Sequence, residues 1–206
     1  MTVPNHDKDI VRLLASTGAP TAAELAELRA RLTDRAEEAG LLDVAYRMLD
    51  TAVGTLLIAA TRAGLVRVAY EREGLDRVLE TLAAKVSPRI LAAPRRLDTA
   101  ARQLDEYFAH QRRHFDLPVD LALASGFRRQ VLTYLPAIDY GQTASYASVA
   151  AAVNNPKAVR AVGSACATNP LPLVIPCHRV VRSDGGTGEY VGGADAKRRL
   201  LDLEAA

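Results

Sequence analysis

The sequence predicts an α+β protein in three parts. Residues 43–121 alternate between the two-residue period of strands and the longer period of helices, which predicts a small mixed unit. Residues 122–206 have mainly helical periods and include two short helices joined by a polar turn, a helix-turn-helix candidate. Residues 1–42 form a predicted helical extension. A chain of 206 residues is long enough to hold two small domains in addition to this extension.

The composition is ordinary for a soluble globular protein, with 49% hydrophobic and 24% charged residues. No apolar run approaches membrane-spanning length, and the first ten residues lack the apolar core of a signal peptide. Two cysteines, Cys166 and Cys177, do not make a disulfide framework. We therefore expect a reduced, cytoplasmic protein that does not enter membranes.

The net charge of +2 is unevenly distributed. Residues 122–206 hold 9 Lys and Arg against 6 Asp and Glu, whereas residues 1–121 hold 17 against 18. This bias permits nucleic acid binding by the second half, although an excess of this size is also common on solvated surfaces.

The extension contains two helical patterns. The first covers residues 7–15 and is broken at Gly18–Pro20. Thr21 with Glu24 is a capping-box pattern that opens the second helix, which Gly40 ends. The apolar stripe of this second helix consists of Leu25, Leu28 and Leu32. No chemical constellation occurs here, so the extension is either a docking arm or simple packing.

The mixed unit begins with a predicted β-meander, whose strands cover residues 43–49, 55–60 and 65–70. Two amphipathic helices follow, over residues 74–86 and 97–108. A short last strand is predicted over residues 115–121, interrupted by Pro118.

His110 and His114 have the i, i+4 spacing of two metal ligands on one helix face. They also flank Arg112 and Arg113 at a predicted helix end, where cations suit the helix dipole. No nearby cysteine or carboxylate pair completes a ligand set, so we predict no metal site.

The second half opens at a boundary over residues 122–126. Its predicted helices cover residues 127–135, 146–153 and 157–168. Ser145 is a candidate N-cap for the second helix, and Asn155 with Pro156 a candidate start for the third. The third helix is built of small residues, among them Ala161, Gly163 and Ser164, with Lys157 and Arg160 as its only charges.

Small residues let that third helix approach another surface closely. A helix that reads the major groove would carry more Asn, Gln and Arg, so the minor groove is the better DNA target. The alternative is a buried helix packed against a neighbour.

Residues 173–181 read LVIPCHRVV, an apolar run predicted to be a buried strand. Cys177 is followed by His178 and Arg179, and a cationic neighbourhood lowers the pKa of a thiol. We therefore predict a reactive nucleophile, although a lone buried cysteine is often inert. Neighbouring side chains on a strand point to opposite faces, so His178 would reach the sulfur through a water.

A glycine-rich loop over residues 182–193 follows, without the Gly-Lys-Ser/Thr of a phosphate loop. The last helix is predicted over residues 194–203. Glu204, at its end, shares a face with leucines three and four residues earlier. This carboxylate either belongs to a frayed end or turns inward to orient His178.

Five motifs in order now indicate a family: SYASVAAAV, NNPKAVRAVGSACATNP, LPLVI, PCHRV and GEYVGG. Together they closely resemble the O6-alkylguanine-DNA alkyltransferases over residues 127–204. The resemblance implies that residues 43–121 form that family's N-terminal domain, with a ribonuclease H-like α/β fold. It also implies that residues 122–206 form the DNA-binding and alkyl-transfer domain, whereas residues 1–42 have no counterpart.

The resemblance implies a role for each matching residue. Cys177 would accept the alkyl group, His178 would take its proton through a water, and Glu204 would hold the imidazole. Asn169 would brace the site beneath the thiol. Tyr146 would donate a proton to N3 of the departing guanine.

On the DNA side, Arg160 would fill the base stack and Tyr190 would wall the base pocket. Backbone groups of Cys177, Val180 and Val191 would read the guanine edge. Many members have Ser where this chain has Val191, which should matter little for a backbone contact. The other residues assigned to the DNA-facing site are Ser145, Ala161, Gly163 and Arg179.

The implied function is direct-reversal DNA repair on double-stranded DNA. The main substrate is O6-methylguanine, with O4-methylthymine as a further candidate. The base must be extruded from the duplex before a thiolate can attack the carbon on O6. The thioether product cannot be hydrolysed by a neighbouring group, so each molecule would act once. We expect a monomer that needs no cofactor and no metal, since the zinc cysteines of some relatives are missing.

Two alternatives remain from other classes. Alkyltransferase-like proteins bind alkylated DNA without repairing it, but they usually have Trp at the cysteine position, and this chain has Cys177 and no Trp. A cysteine hydrolase would need an oxyanion hole and a histidine distant in sequence, which the adjacent Cys177–His178 pair fits poorly.

Overall fold

The computed structural model describes residues 20–206 and has the predicted α+β architecture. The helix predicted over residues 7–15 lies outside the described residues. No helix within the described range is both long enough and apolar enough to cross a membrane.

A four-stranded sheet forms the first part of the fold, in the order β3-β2-β1-β4. The strands are β1 (Val44–Thr51), β2 (Gly54–Ala60), β3 (Leu65–Tyr70) and β4 (Ile90–Ala92). The antiparallel pairing of β1, β2 and β3 is the predicted meander. The three-residue β4 is too short to leave a sequence pattern and pairs parallel to β1.

The strand predicted over residues 115–121 is wrong. Only Val119 makes an isolated bridge, to Leu65, and the Leu65 amide donates to the Pro118 carbonyl at 2.8 Å. Pro118 has no N–H with which to continue a ladder, so the segment runs beside β3 without joining the sheet.

Helices cover both faces of the sheet. The helices of this part are α1 (Ala22–Glu38), α2 (Leu75–Lys85) and α3 (Asp98–Phe108). Alternate residues of β2 point to opposite faces, so Leu57 packs with α2 while Leu56 joins the larger core that contains α3. That larger core continues into residues 126–206, which ties the two halves of the chain together.

Helix α1 starts at the predicted capping box, where Thr21 and Glu24 bond reciprocally. Its only buried side chain is Thr33, whose hydroxyl donates to the Ala92 carbonyl at 3.2 Å. The leucine stripe instead faces outward, with Leu28 and Leu32 each 57% exposed. Among the described residues, therefore, nothing buries this stripe.

The second half is helical, with a short sheet beside it. Its helices are α4 (Gly126–Tyr134), α5 (Tyr146–Ala152), α6 (Val159–Ala167) and α7 (Ala194–Ala205). As predicted, Ser145 caps α5, its Oγ accepting from the Ser148 amide at 3.0 Å. Helix α6 begins two residues later than predicted and has no side-chain cap, so Asn155 does not cap it and Lys157 lies in the preceding turn.

The strand predicted over residues 173–181 is also wrong. Residues 172–174 form a turn, and Leu173 has a left-handed φ of +74°. Cys177–Arg179 is a 3₁₀ turn, after which β6 (Val180–Val181) pairs parallel to β5 (Ala144–Ser145). Pro176, which lacks an N–H, immediately precedes the 3₁₀ turn, and its carbonyl accepts from the Arg179 amide at 3.0 Å. The triplet Cys177–Arg179 thus sits on a bend and not on a pleated strand.

The core assignment predicts very different costs for two leucine truncations. Leu104→Ala in α3, where the side chain is 0% exposed, should lower the free energy of unfolding by about 2–5 kcal/mol. Leu28→Ala in α1 should change it by less than about 0.5 kcal/mol, because no cavity is created. Urea unfolding of both variants measures the difference. Equal losses would contradict the exposed position of the α1 stripe.

Candidate active site

Cys177 opens the 3₁₀ turn and is 1% exposed. The Asn169 side-chain amide donates to its sulfur at 3.1 Å and to the Ile175 carbonyl at 2.9 Å. The amide oxygen of Asn169 accepts from the Leu171 backbone at 2.9 Å, which fixes the orientation of the side chain. The structure therefore places Asn169 directly against the thiol.

The expected low pKa of the thiol is wrong for the resting protein. Burial raises the pKa of Cys177 to about 11, against the opposing effects of the Asn169 hydrogen bond and the Lys197 charge. Arg179 does not act on the thiol, because its guanidinium turns to Glu204. The thiol is protonated near neutral pH, so it needs a base to become a nucleophile.

His178 is fully buried beside the thiol. Its Nε2 lies 2.9 Å from Glu204 Oε1, whereas Nδ1 has no hydrogen-bond partner in the described part of the chain. Burial lowers the pKa of His178 in spite of the opposing Glu204 carboxylate, so the ring is neutral near neutral pH. A neutral ring that donates from Nε2 to the carboxylate has its lone pair on Nδ1, as a base requires.

Glu204 lies in the last turn of α7 and points inward. Besides His178, it accepts from the Tyr107 hydroxyl at 2.7 Å, from the Gly141 amide at 3.2 Å and from Arg179. Arg179 is bidentate, with Nε and Nη2 at 2.8 and 2.9 Å from the two carboxylate oxygens. Burial alone would raise the pKa of Glu204, but bonds from His178 and Arg179 hold it well below its usual value.

Arg179 therefore does not belong to the DNA-facing site, and that prediction is corrected. Its side chain is buried, and its third bonded nitrogen, Nη1, donates to the Ile138 carbonyl at 2.6 Å. The Glu204 carboxylate pairs with this buried guanidinium, which offsets part of the cost of taking both charges out of water.

Two functional candidates were missed by the sequence reasoning. Tyr107 lies in the helix predicted over residues 97–108, and its bond to Glu204 spans 97 residues, so it leaves no local pattern. Lys197, in the helix predicted over residues 194–203, is 0% exposed, and its Nζ donates to the Val180 carbonyl at 2.6 Å. Burial lowers the pKa of Lys197, while the thiols of Cys177 and Cys166 act in the opposite direction.

Tyrosines line the space around the thiol. Tyr146, in the first turn of α5, is half-buried, and burial raises its pKa to about 12. Gly188 has a φ of +68°, and a Cβ there would lie 2.7 Å from the Tyr146 hydroxyl, so only glycine lets the loop close over this ring. Tyr190 is buried, stacks edge-on against His178 and shares a 3.0 Å hydroxyl–hydroxyl bond with Tyr70 of β3.

The remaining predicted residues differ in their exposure. Arg160 and Ala161 are exposed on α6, and Gly163 is partly exposed on the same helix. Val191 is partly exposed in the loop, whereas Val180 is buried. Ser145 serves as the cap of α5.

No metal-binding arrangement occurs within residues 20–206, where no three His, Cys, Asp or Glu side chains cluster. His110 and His114 are both exposed and follow the end of α3 at Phe108, so they do not share a helix face.

Comparisons with known proteins agree with this geometry. Residues 44–121 match the profile of the 6-O-methylguanine DNA methyltransferase ribonuclease-like domain, and residues 126–206 match the DNA-binding domain of the same family. A methylated-DNA–protein-cysteine methyltransferase of Mycolicibacterium paratuberculosis is 37% identical over 78% of this chain and 92% of its own. The inducible enzyme of Bacillus subtilis is 36% identical, over 71% and 82%.

The solved structures agree as well. Mycobacterium tuberculosis O6-methylguanine methyltransferase superposes with a TM-score of 0.69 at 33% identity, covering 79% of this chain and 93% of its own. The same organism's OGT in complex with DNA has a TM-score of 0.69 at 32% identity, covering 78% and 92%. This chain therefore belongs to the 6-O-methylguanine DNA methyltransferase family.

Proposed function

We propose that this chain repairs DNA by moving the alkyl group of O6-alkylguanine onto the sulfur of Cys177. The observation that carries the proposal is the buried thiol next to a neutral His178 that Glu204 holds by Nε2. Membership of the family and the names of the relatives support the same reaction. The main substrate is O6-methylguanine in double-stranded DNA.

The reaction begins with a proton transfer from the thiol. His178 Nδ1 takes the Cys177 proton through one water, and Glu204 stabilises the imidazolium that forms. The Asn169 amide and the Lys197 ammonium stabilise the thiolate, because both favour the charged form of the sulfur. Residues 177–179 form a bend instead of the predicted strand, so strand geometry no longer requires the water. The buried His178 Nδ1, which has no hydrogen-bond partner among the described residues, supports the water relay instead.

The second step is an in-line displacement at the alkyl carbon. A bond forms between the carbon and the Cys177 sulfur, the bond to O6 breaks, and its electron pair leaves with the guanine. Tyr146 donates its phenolic proton to N3 of that guanine, and its pKa of about 12 keeps the proton in place until then. Cys177 ends as a thioether that nothing in the site can hydrolyse, so each molecule reacts once.

DNA reaches the thiol through base extrusion. Helix α6 enters the minor groove by its small residues, and Arg160 fills the stack that the extruded base leaves. Backbone groups of Val180 and Val191 read the guanine edge, and Tyr190 walls the pocket. The chain works as a cytoplasmic monomer without a cofactor.

We also propose that each part of the chain has its own task. Residues 122–206 carry DNA binding and transfer, residues 43–121 support them, and residues 1–42 are an added arm. Tyr107 illustrates the support, because it connects α3 to the Glu204 carboxylate.

Each chain should accept one methyl group and no more. The protein is incubated with excess duplex carrying one O6-methylguanine, and its intact mass is measured. We expect a gain of one methyl group on Cys177, saturating at one per chain. Cys166→Ala should keep the gain, and Cys177→Ala should lose it while retaining DNA binding. Continued turnover would indicate a hydrolase, and binding without a mass gain would indicate a lesion-binding protein; either outcome would overturn the proposal.

Tyr107→Phe should slow methyl transfer by a factor of about 10 to 150. The substitution removes one hydrogen bond to a charged group, typically worth about 1.5–3 kcal/mol, and about 1.4 kcal/mol corresponds to a factor of ten in rate. Single-turnover rates with duplex and with free O6-benzylguanine should fall equally, because the relay serves both substrates.

Tyr140→Phe is the matched control. Tyr140 packs beside Tyr107, but its hydroxyl donates to the Leu203 carbonyl and not to Glu204. Its transfer rate should stay near that of the unsubstituted protein. A Tyr107→Phe rate no lower than that of this control would contradict the relay.

Arg160→Ala should affect duplex repair far more than the reaction with free O6-benzylguanine. Arg160 is exposed on α6 and is proposed to act only when a base leaves the stack. Single-turnover rates with both substrates provide the comparison. If both rates fell by the same factor, the base-extrusion role of Arg160 would be excluded.

A further inference from the structure

A basic cavity lies where the two halves of the chain meet. It has a volume of about 390 Å³ and is bordered by α2, by α4 and by the C-terminal end of α6. Four cationic side chains line it against a single carboxylate, that of Glu73; the cations are Arg67, Arg77, Lys85 and Arg128. Nothing in the proposed alkyl-transfer reaction uses these charges.

The four cations differ in whether they have bonding partners within the protein. Arg67 forms an ion pair with Glu73, and Arg128 donates to the Leu123 carbonyl. Arg77 and Lys85 have exposed side chains and no ion-pair partner within residues 20–206. Their charges are therefore available to an external anion.

The cavity continues the exposed face of α6. Arg160 and Ala161 are exposed in one turn and Ser164 in the next, and the following members of that face, Ala167 and Thr168, line the cavity. From Arg160 to Thr168 the helix rises about 12 Å, at about 1.5 Å per residue. A duplex seated on this face would thus bring backbone phosphates near the cavity.

We propose that this cavity binds the phosphate backbone of the DNA beside the lesion, so that the first half of the chain also contacts DNA. Arg77 and Lys85 are the side chains that make this contact. The inference rests on the proposed function, because it needs DNA seated on α6.

The spacing of the two cations favours a strand over a single phosphate. Arg77 and Lys85 are eight residues apart, about 12 Å along α2, so they suit a polyanion with regularly spaced charges. Binding such a strand releases condensed counterions, which makes the affinity depend on salt in proportion to the number of phosphates neutralised.

The test compares the double variant Arg77→Gln/Lys85→Gln with Arg29→Gln/Arg35→Gln. The second pair removes the same charge from exposed positions on α1 that do not line the cavity. Duplex affinity is measured between about 50 and 200 mM salt. The slope of log K against log salt should become shallower by about 0.9 for each phosphate that is no longer neutralised, hence by nearly 2 for the cavity variant. The control should keep the original slope.

Phosphate neutralisation locates the binding position on the DNA. Single neutral methylphosphonates are placed, one at a time, along each strand beside the lesion. At one or two positions the substitution should weaken DNA binding by the unsubstituted protein. The same substitutions should not weaken DNA binding by the cavity variant. An unchanged slope in the cavity variant, or an equal change in the control, would overturn the inference. Methyl transfer by the unsubstituted protein is measured in the same samples, so that failure of the proposed function is seen separately.

Discussion

The Glu204 carboxylate is the interaction on which the rest of the site depends. It accepts bonds from α3, from the Gly141 turn and from two residues of the 3₁₀ turn that carries the thiol. A buried carboxylate is costly unless it is paired, and Arg179 supplies the compensating charge. Because α7 ends at this point, the C-terminal helix holds together the base, the cation and the first half of the chain.

In the proposed mechanism, the same carboxylate explains how a buried thiol can be unreactive at rest and still become a nucleophile. With a pKa of about 11, Cys177 stays protonated at rest, which limits its reaction with other electrophiles. Glu204 fixes His178 through Nε2, so the accepting lone pair points away from the carboxylate. Lys197 adds a cation that favours the thiolate while its own Nζ bonds the Val180 carbonyl. In the proposed mechanism, activation of Cys177 therefore depends on a proton transfer and not on a permanently low pKa.

Local chemistry was predictable from the sequence. The Ser145 cap and the β-meander each follow from a short-range sequence pattern, whereas the inward position of Glu204 was one of two alternatives that the sequence left open. The bend at residues 177–179 was not predictable from the sequence, because an apolar run next to Pro176 fits both a strand and a turn. Tyr107 and Lys197 were missed for another reason: their importance arises from partners far away in sequence, and each looked ordinary in its own helix.

The protonation of His178 is the most direct test of the account. Nitrogen NMR of the histidine-labelled protein near neutral pH distinguishes a protonated ring nitrogen from one that carries a lone pair. We predict a neutral ring with the proton on Nε2, facing Glu204, and a lone pair on Nδ1. A proton on Nδ1, or on both nitrogens, would contradict it, because His178 could then not receive the proton of Cys177.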